Sequence, residues 1–319
     1  MTPTETRTAV LLMAYGTPRT REEIEPYYTD IRRGRPPTPE LLAELTARYD
    51  ALGGTSPLAA RTDAQRDALQ AALDAAAPGR YHVTLGLKHA EPKIETAVDV
   101  LAAQGFRRII GLVLAPHYSA YSIGQYLDRT RAAAEPHGIE VRGVDSWATE
   151  PAFVEFIAND LKAKLAAMPA NTRVVFTAHS LPQRIVAAGN PYPEQLRATA
   201  EAVATAAGLG QWSQWAIAWQ SAGRTPEPWL GPDILQVIDE MAASENHAGA
   251  ARGLVVSAVG FVADHLEVLY DLDIEAAARA AQHDIAFART ACVNDDPAVM
   301  AALAMRVRAL DGPAEEASA

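Results

Sequence analysis

The amino-acid sequence predicts an α/β protein of two Rossmann-like, doubly wound halves with parallel sheets, and three observations carry that expectation. Short runs rich in Val, Ile and Leu alternate with amphipathic, Ala-rich segments from end to end, the mark of repeated βαβ units. Several runs are apolar on both parities, as strands are when helices cover both faces of their sheet. The rhythm also repeats, so the chain divides into an N-terminal domain over 1–145 and a C-terminal domain over 146–319, with a cleft between them.

In chain order, the first half offers strands at 9–15, 81–87, 108–115 and 139–144. The second half offers 173–178, 214–219, 252–258 and 285–291, with helices filling the intervals. The segment from Asp296 to Leu310 reads as a last helix. The sequence does not decide which half it packs on, and a return onto the first domain is one arrangement open to it. Residues 311–319 read as a frayed tail.

A chain of 319 residues, close to half of them apolar, can bury a full core without staples. The single cysteine, Cys292, excludes an intrachain disulfide framework and an iron–sulfur cluster held by four thiolates of one chain. The opening polar residues run straight into Ala9–Tyr15, too short to span a bilayer and without a cleavage pattern, so no membrane span and a cytoplasmic location are expected. A net charge of −11 argues against a nucleic-acid surface. Against that acidic background, Arg32-Arg33-Gly34-Arg35 concentrates three guanidinium groups in four residues. A solvated turn and an anion site are both open readings.

Ligands of such sheets bind beyond the carboxyl ends of the strands, which points to Tyr15, Lys88-His89, His117, His179-Ser180, Gln220-Ser221 and the Gly260 turn. Nucleotide-binding glycine motifs and the GxSxG elbow are absent, which removes support for kinase, dehydrogenase and serine hydrolase chemistry. His179 ends an apolar run at the mouth of the crevice, where an imidazole can be a structural hydrogen bonder, a metal ligand or a proton acceptor. On an α-helix, Glu267, Asp271 and Glu275 would share an arc of about 80° and rise about 12 Å. Like charges at that spacing repel. They form either a solvated stripe or a track that passes a cation or protons inward. Asp264 reads as the N-cap of that helix.

Together these residues carry a resemblance. Val10-Leu-Leu-Met-Ala-Tyr-Gly-Thr-Pro18, Tyr27-Tyr-Thr-Asp-Ile-Arg-Arg-Gly-Arg35, Gly53-Gly-Thr-Ser-Pro-Leu58, Gly86-Leu-Lys-His89, Leu114-Ala-Pro-His-Tyr-Ser119, Ala178-His-Ser-Leu-Pro182, Thr225-Pro-Glu-Pro-Trp-Leu-Gly-Pro232 and Val259-Gly-Phe-Val-Ala-Asp-His-Leu-Glu-Val-Leu-Tyr270 resemble ferrochelatase motifs, in family order, from about residue 8 to 310. The resemblance implies a type-II chelatase with a porphyrin cleft, in which His179 and Glu267 are the catalytic, iron-binding pair and Asp271 and Glu275 an outer track. Tyr15 and the lone Cys292 resemble the monomeric, cluster-free members that use coproporphyrin III. In those members the positions of Tyr15, Arg32, Arg48, Tyr49, Ser56 and Tyr126 bind the substrate. The resemblance further implies Fe2+ as a substrate, no tightly bound cofactor, and transient hand-off of product to a coproheme decarboxylase. A protoporphyrin IX ferrochelatase and a non-catalytic tetrapyrrole carrier are the alternatives.

Overall fold

The computed structural model describes residues 7–187, 189–210, 215–223, 225–243 and 251–312. Among them, β1 (Thr8–Ala14), β2 (Tyr81–Leu87), β3 (Arg108–Val113) and β4 (Glu140–Gly143) form a parallel sheet in the order β2-β1-β3-β4. A second parallel sheet, from β5 (Thr172–His179), β6 (Trp215–Gln220), β7 (Gly253–Ser257) and β8 (Ala286–Arg289), repeats that winding as β6-β5-β7-β8. In each sheet the winding reverses at its first strand. A crevice therefore opens beyond the carboxyl ends of β1 and β3, and of β5 and β7.

The helices are α1 (Ile24–Ile31), α2 (Pro39–Ala51), α3 (Leu58–Ala76), α4 (Ile94–Ala103), α5 (Gln125–Ala134), α6 (Pro151–Ala167), α7 (Gln183–Ala187), α8 (Tyr192–Ala207), α9 (Ile234–Ala243), α10 (Leu266–Val268), α11 (Ala277–Gln282) and α12 (Pro297–Asp311). Strand alternation sends Val10, Leu12, Ile110 and Leu112 of one sheet and Val174, Phe176 and Val255 of the other into one shared core. The opposite parity packs under each half's own helices, Leu11 and Met13 in the first and Val175 and Leu254 in the second. Both parities are apolar because each sheet is covered twice. Among the described residues no helix is long and apolar enough to cross a membrane.

Polar contacts add to the join between halves. His117 is buried, and burial pushes its imidazole down to about 3. The neutral ring donates from Nε2 to Thr199 Oγ1 at 2.8 Å, because the Thr199 hydroxyl proton is given to the Ala148 carbonyl. On the same helix, α8, Gln195 Oε1 accepts from the Tyr118 amide at 2.7 Å and the Ser146 hydroxyl at 2.8 Å.

α12 begins with Asp296 accepting from the amides of Ala298 and Val299, with Pro297 preset for a first helical turn. It packs on α3 and α6. Its last residue, Asp311, is not frayed: it is an anchor, whereas 313–319 of the expected tail lie outside the described residues. A carboxylate at a helix C-terminus opposes the helix dipole. Here it is offset by donors at the amino ends of the first sheet: Thr8 Oγ1 at 2.8 Å, Arg80 at 2.7 and 2.9 Å, Tyr81 OH at 3.1 Å and Arg108 at 3.1 Å.

Two local expectations are corrected. Leu269–Ala276 is a π-helix, not α, as is Ala120–Gly124. Asp264 is not a cap: it takes hydrogen bonds from Asn294 and Arg289, while the extended His265 precedes α10.

Burial raises the pKa of Asp311, but hydrogen bonds from Arg80, Thr8, Arg108 and Tyr81 hold it below the ordinary carboxylate value. Its contribution to stability is present above the unfolded value, about 4, and is lost as pH falls through the folded one. Asp311→Asn is expected to cost about 2–3 kcal/mol at pH 7. Urea unfolding should show a lower midpoint with an unchanged slope, and an unchanged midpoint would contradict the anchor.

Candidate active site

His179 ends β5 at the mouth of the second crevice. Its Nδ1 lies 2.5 Å from the Ser180 carbonyl, which can only accept, so Nδ1 carries a proton and Nε2 is left facing Glu267. The backbone there is pinned from two sides. Ser180 N–H donates to the Gln220 carbonyl at 2.8 Å, and Tyr192 OH donates to the His179 carbonyl at 3.1 Å.

Glu267 arrives from β7. The turn after that strand crosses directly over β5, and a Cβ on Gly260 would stand 2.4 Å from Ala178 Cβ, so only glycine allows the approach. Glu267 Oε1 thereby comes to 3.7 Å from His179 Nε2. On its other side, His265 donates from Nδ1 to the Ala263 carbonyl and sets Nε2 3.6 Å from Oε2. Burial pushes the Glu267 carboxyl up, but His179, then His265 and Arg48, outweigh it and hold the group at about 2. Glu267 is therefore ionised at neutral pH.

Behind Glu267, the wider turn of the π-helix sets Asp271 and Glu275 along the wall of a cleft of about 340 Å³. The end of β6 holds this helix. Gln220 Nε2 donates to the Glu267 carbonyl at 2.9 Å, and Ser221, with φ at +59°, donates to Asp271 Oδ2 at 2.5 Å. A non-glycine residue in the left-handed region costs conformational energy and is held there by its surroundings. From the first half, Arg48 on α2 reaches across to Asp271 Oδ1 at 3.3 Å. Burial nevertheless dominates at Asp271 and pushes its carboxyl up to about 6, against the Ser221 hydrogen bond and Arg48.

The other expected residues fall in three groups. Tyr15 stands at the end of β1, 43% exposed, against His89 with ring centroids 4.5 Å apart. Burial on its inner side, then Glu267 and Asp30, raise the phenol, so it keeps its proton. Arg32 closes α1, lies over the Tyr28 ring and donates to the Arg35 carbonyl. Tyr49, Ser56 and Tyr126 are buried. Tyr49 OH lies 3.4 Å from Thr17 Oγ1, Ser56 Oγ accepts from the Leu58 amide, and Tyr126 packs in the first half's own core under the Lys88 ammonium. The described geometry thus brings His179, Glu267, Asp271, Glu275 and Arg48 together. It leaves the hydroxyls of Tyr49 and Ser56 occupied locally.

Sequence reasoning gave no role to His265, Gln220, Ser221 or Lys88. His265 is two residues before Glu267 and on one helix would face away; the extended backbone at His265 turns it back. Gln220-Ser221 and Lys88 were visible only as strand ends. Burial, then Arg129 and Arg33, push Lys88 down to about 8, leaving a cation at neutral pH between the Tyr15 and Tyr126 rings.

A ferrochelatase family model matches residues 7–310. The chain is 44% identical over 298 residues to a ferrochelatase of Herpetosiphon aurantiacus, covering 92% of this chain and 95% of that one. It is 45% identical to a coproporphyrin III ferrochelatase of Oceanobacillus iheyensis, covering 83% and 85%, and 43% identical to that of Geobacillus kaustophilus, covering 92% and 93%. Among solved structures, the sirohydrochlorin chelatase SirB of Bacillus subtilis superposes with a TM-score of 0.56 at 12% identity over 95% of this chain and 94% of SirB. CbiX, from siroheme biosynthesis in denitrifying bacteria, superposes at 0.52 and 13% identity over 95% and 98%. These two share the fold.

Because Asp271 binds its proton more tightly folded than unfolded, stability falls as pH rises from about 4 to about 6 and stays lowered above that. Asp271→Asn is accordingly expected to stabilise the ligand-free protein by about 1–2 kcal/mol at pH 7.5 and by little below pH 4. Urea midpoints at the two pH values measure this, and equal effects at both would refute it.

Proposed function

The chain belongs to the ferrochelatase family, whose reaction places Fe2+ in a porphyrin, and from that membership we propose that its substrate is coproporphyrin III and its product Fe-coproporphyrin, in haem biosynthesis. The supporting relatives are the coproporphyrin III ferrochelatases at 43–45% identity. The observation that carries the reading is the facing of His179 Nε2 and Glu267 Oε1 at 3.7 Å, with Glu267 also lining the cleft that Arg48 enters from the first half.

Insertion strips water from Fe2+ and removes two pyrrole N–H protons. A carboxylate held at about 2 is a poor base and a good oxygen donor, so Glu267 is assigned to iron. His179, whose Nε2 faces Glu267, is assigned in its neutral form to iron as it enters and, once iron has passed to the ring, to the pyrrole protons, taken one at a time and released to solvent. Asp271 and Glu275 serve as the outer track. Arg48 and Arg32 are assigned to the substrate's propionates, Tyr49, Ser56 and Tyr126 to the pocket wall, and Tyr15 to a place against the ring. In this scheme residues 1–145 supply the porphyrin side and 146–319 the metal side.

We further propose that the protein acts in the cytoplasm as a monomer without an iron–sulfur cluster, and passes its product to a coproheme decarboxylase. Cys292 supports the cluster-free reading, being buried with its thiol pushed up to about 12 by that burial. Sedimentation, iron and sulfide analysis, and a pull-down with the decarboxylase test these points.

Under anaerobic conditions with Fe2+, coproporphyrin III should be metallated at least tenfold faster than protoporphyrin IX, because it alone offers four propionates to the basic residues. Equal absorbance time courses would remove the substrate assignment. His179→Ala and Glu267→Gln should each lower kcat by about 100-fold or more while leaving porphyrin affinity within about twofold, as both act on metal or protons and not on the ring's periphery. Retention of most turnover by either variant would displace that residue from the inner site.

A further inference from the structure

We propose that Arg48 is shared between two anions: Asp271 holds it in the ligand-free protein, a substrate carboxylate takes it on binding, and porphyrin occupancy thereby unmasks the outer carboxylate of the metal track. This deepens the reading above and rests on it.

The contact has the features of an exchangeable pair. Among the described residues, the Arg48 guanidinium makes one hydrogen bond, from Nη1, and at 3.3 Å it is long for a charged pair. By contrast, Arg289 grips Asp273 with two bonds of 2.7 and 2.9 Å only two residues away from Asp271. The side chain of Arg48 is 31% exposed at the cleft, so its remaining donors are within reach of an entering carboxylate. Its guanidinium lies over the Tyr270 ring at 4.7 Å, a contact that keeps the charged head at the cleft whichever anion it serves.

Neither partner is stranded by the exchange. Asp271 keeps the Ser221 hydroxyl at 2.5 Å when Arg48 leaves, so its buried side stays hydrogen-bonded. Its negative charge, no longer matched by Arg48, then adds to those of Glu267 and Glu275 on the same wall. A divalent cation is drawn there when the ring is already in place. By reciprocity, a cation on Asp271 frees Arg48 for the ring, so each substrate strengthens the binding of the other. The pair also crosses the cleft from α2 to the π-helix, which is where a substrate lying between the halves would meet it.

The test is a fluorescence titration of metal-free coproporphyrin III, without iron, into wild type, Asp271→Asn, Arg48→Ala and the double variant. Asp271→Asn should tighten binding about fivefold, because the competitor for Arg48 is gone. Arg48→Ala should weaken it about tenfold, and the double variant should match Arg48→Ala within about twofold. Unchanged or weaker binding by Asp271→Asn would mean that Asp271 orients Arg48 for the substrate, and overturns the proposal. Tightening that persists in the Arg48→Ala background would reduce the effect to general charge, and also overturns it. If the asparagine variant does not fold, Asp271→Ala is held to the same outcomes. Wild type that neither binds nor metallates coproporphyrin III would sink the functional reading itself. Normal metallation with no Arg48-dependent tightening sinks the exchange alone.

Discussion

The core shared by the two sheets is the constraint on which the cleft depends. Val10, Leu12, Ile110 and Leu112 from one sheet and Val174, Phe176 and Val255 from the other enter the same apolar cluster, so neither sheet can shift without opening voids that cost packing energy. That packing brings the carboxyl ends of both sheets into one crevice. His117, Gln195 and Thr199 add directional hydrogen bonds to the join. At the far end, Asp311 ties the last helix to the starts of β1, β2 and β3.

On this rigid base the protein shifts two neighbouring carboxyls in opposite directions. Burial disfavours ionisation at both. Two imidazoles and a guanidinium reverse that balance at Glu267, whereas at Asp271 one hydroxyl and one long ion pair do not. An ionised inner group beside a more readily neutralised outer one suits the proposed path, along which a cation would be first received and then held.

The π-helix over Leu269–Ala276 makes that path compact. Its wider turn changes the angular offset between residues four apart, and Gln220 and Ser221 from β6 fasten it at Glu267 and Asp271. Such segments cluster at functional sites because their hydrogen-bond geometry is poorer and outside contacts must hold them. Here those contacts come from a strand end whose own Ser221 backbone is strained.

The sequence alone was enough for the repeated βαβ rhythm, the eight strands and the motif series that marks the family, because burial on two faces and strand-end placement leave local, periodic traces. It also singled out Glu267, Asp271, Glu275 and Arg48, which the fold brings to one cleft, and His179, which it sets beside Glu267. Tertiary structure alone decided that Glu267 sits between two imidazoles, that Arg48 is paired with Asp271 some 220 positions away in the chain, and that Asp311 is an anchor. It also decided that 269–276 is π and not α, since widening each hydrogen-bonded loop by one residue leaves no distinct periodicity in eight residues. Contacts between distant segments depend on how the halves pack on their common core, and no window of sequence contains both sides of such a contact.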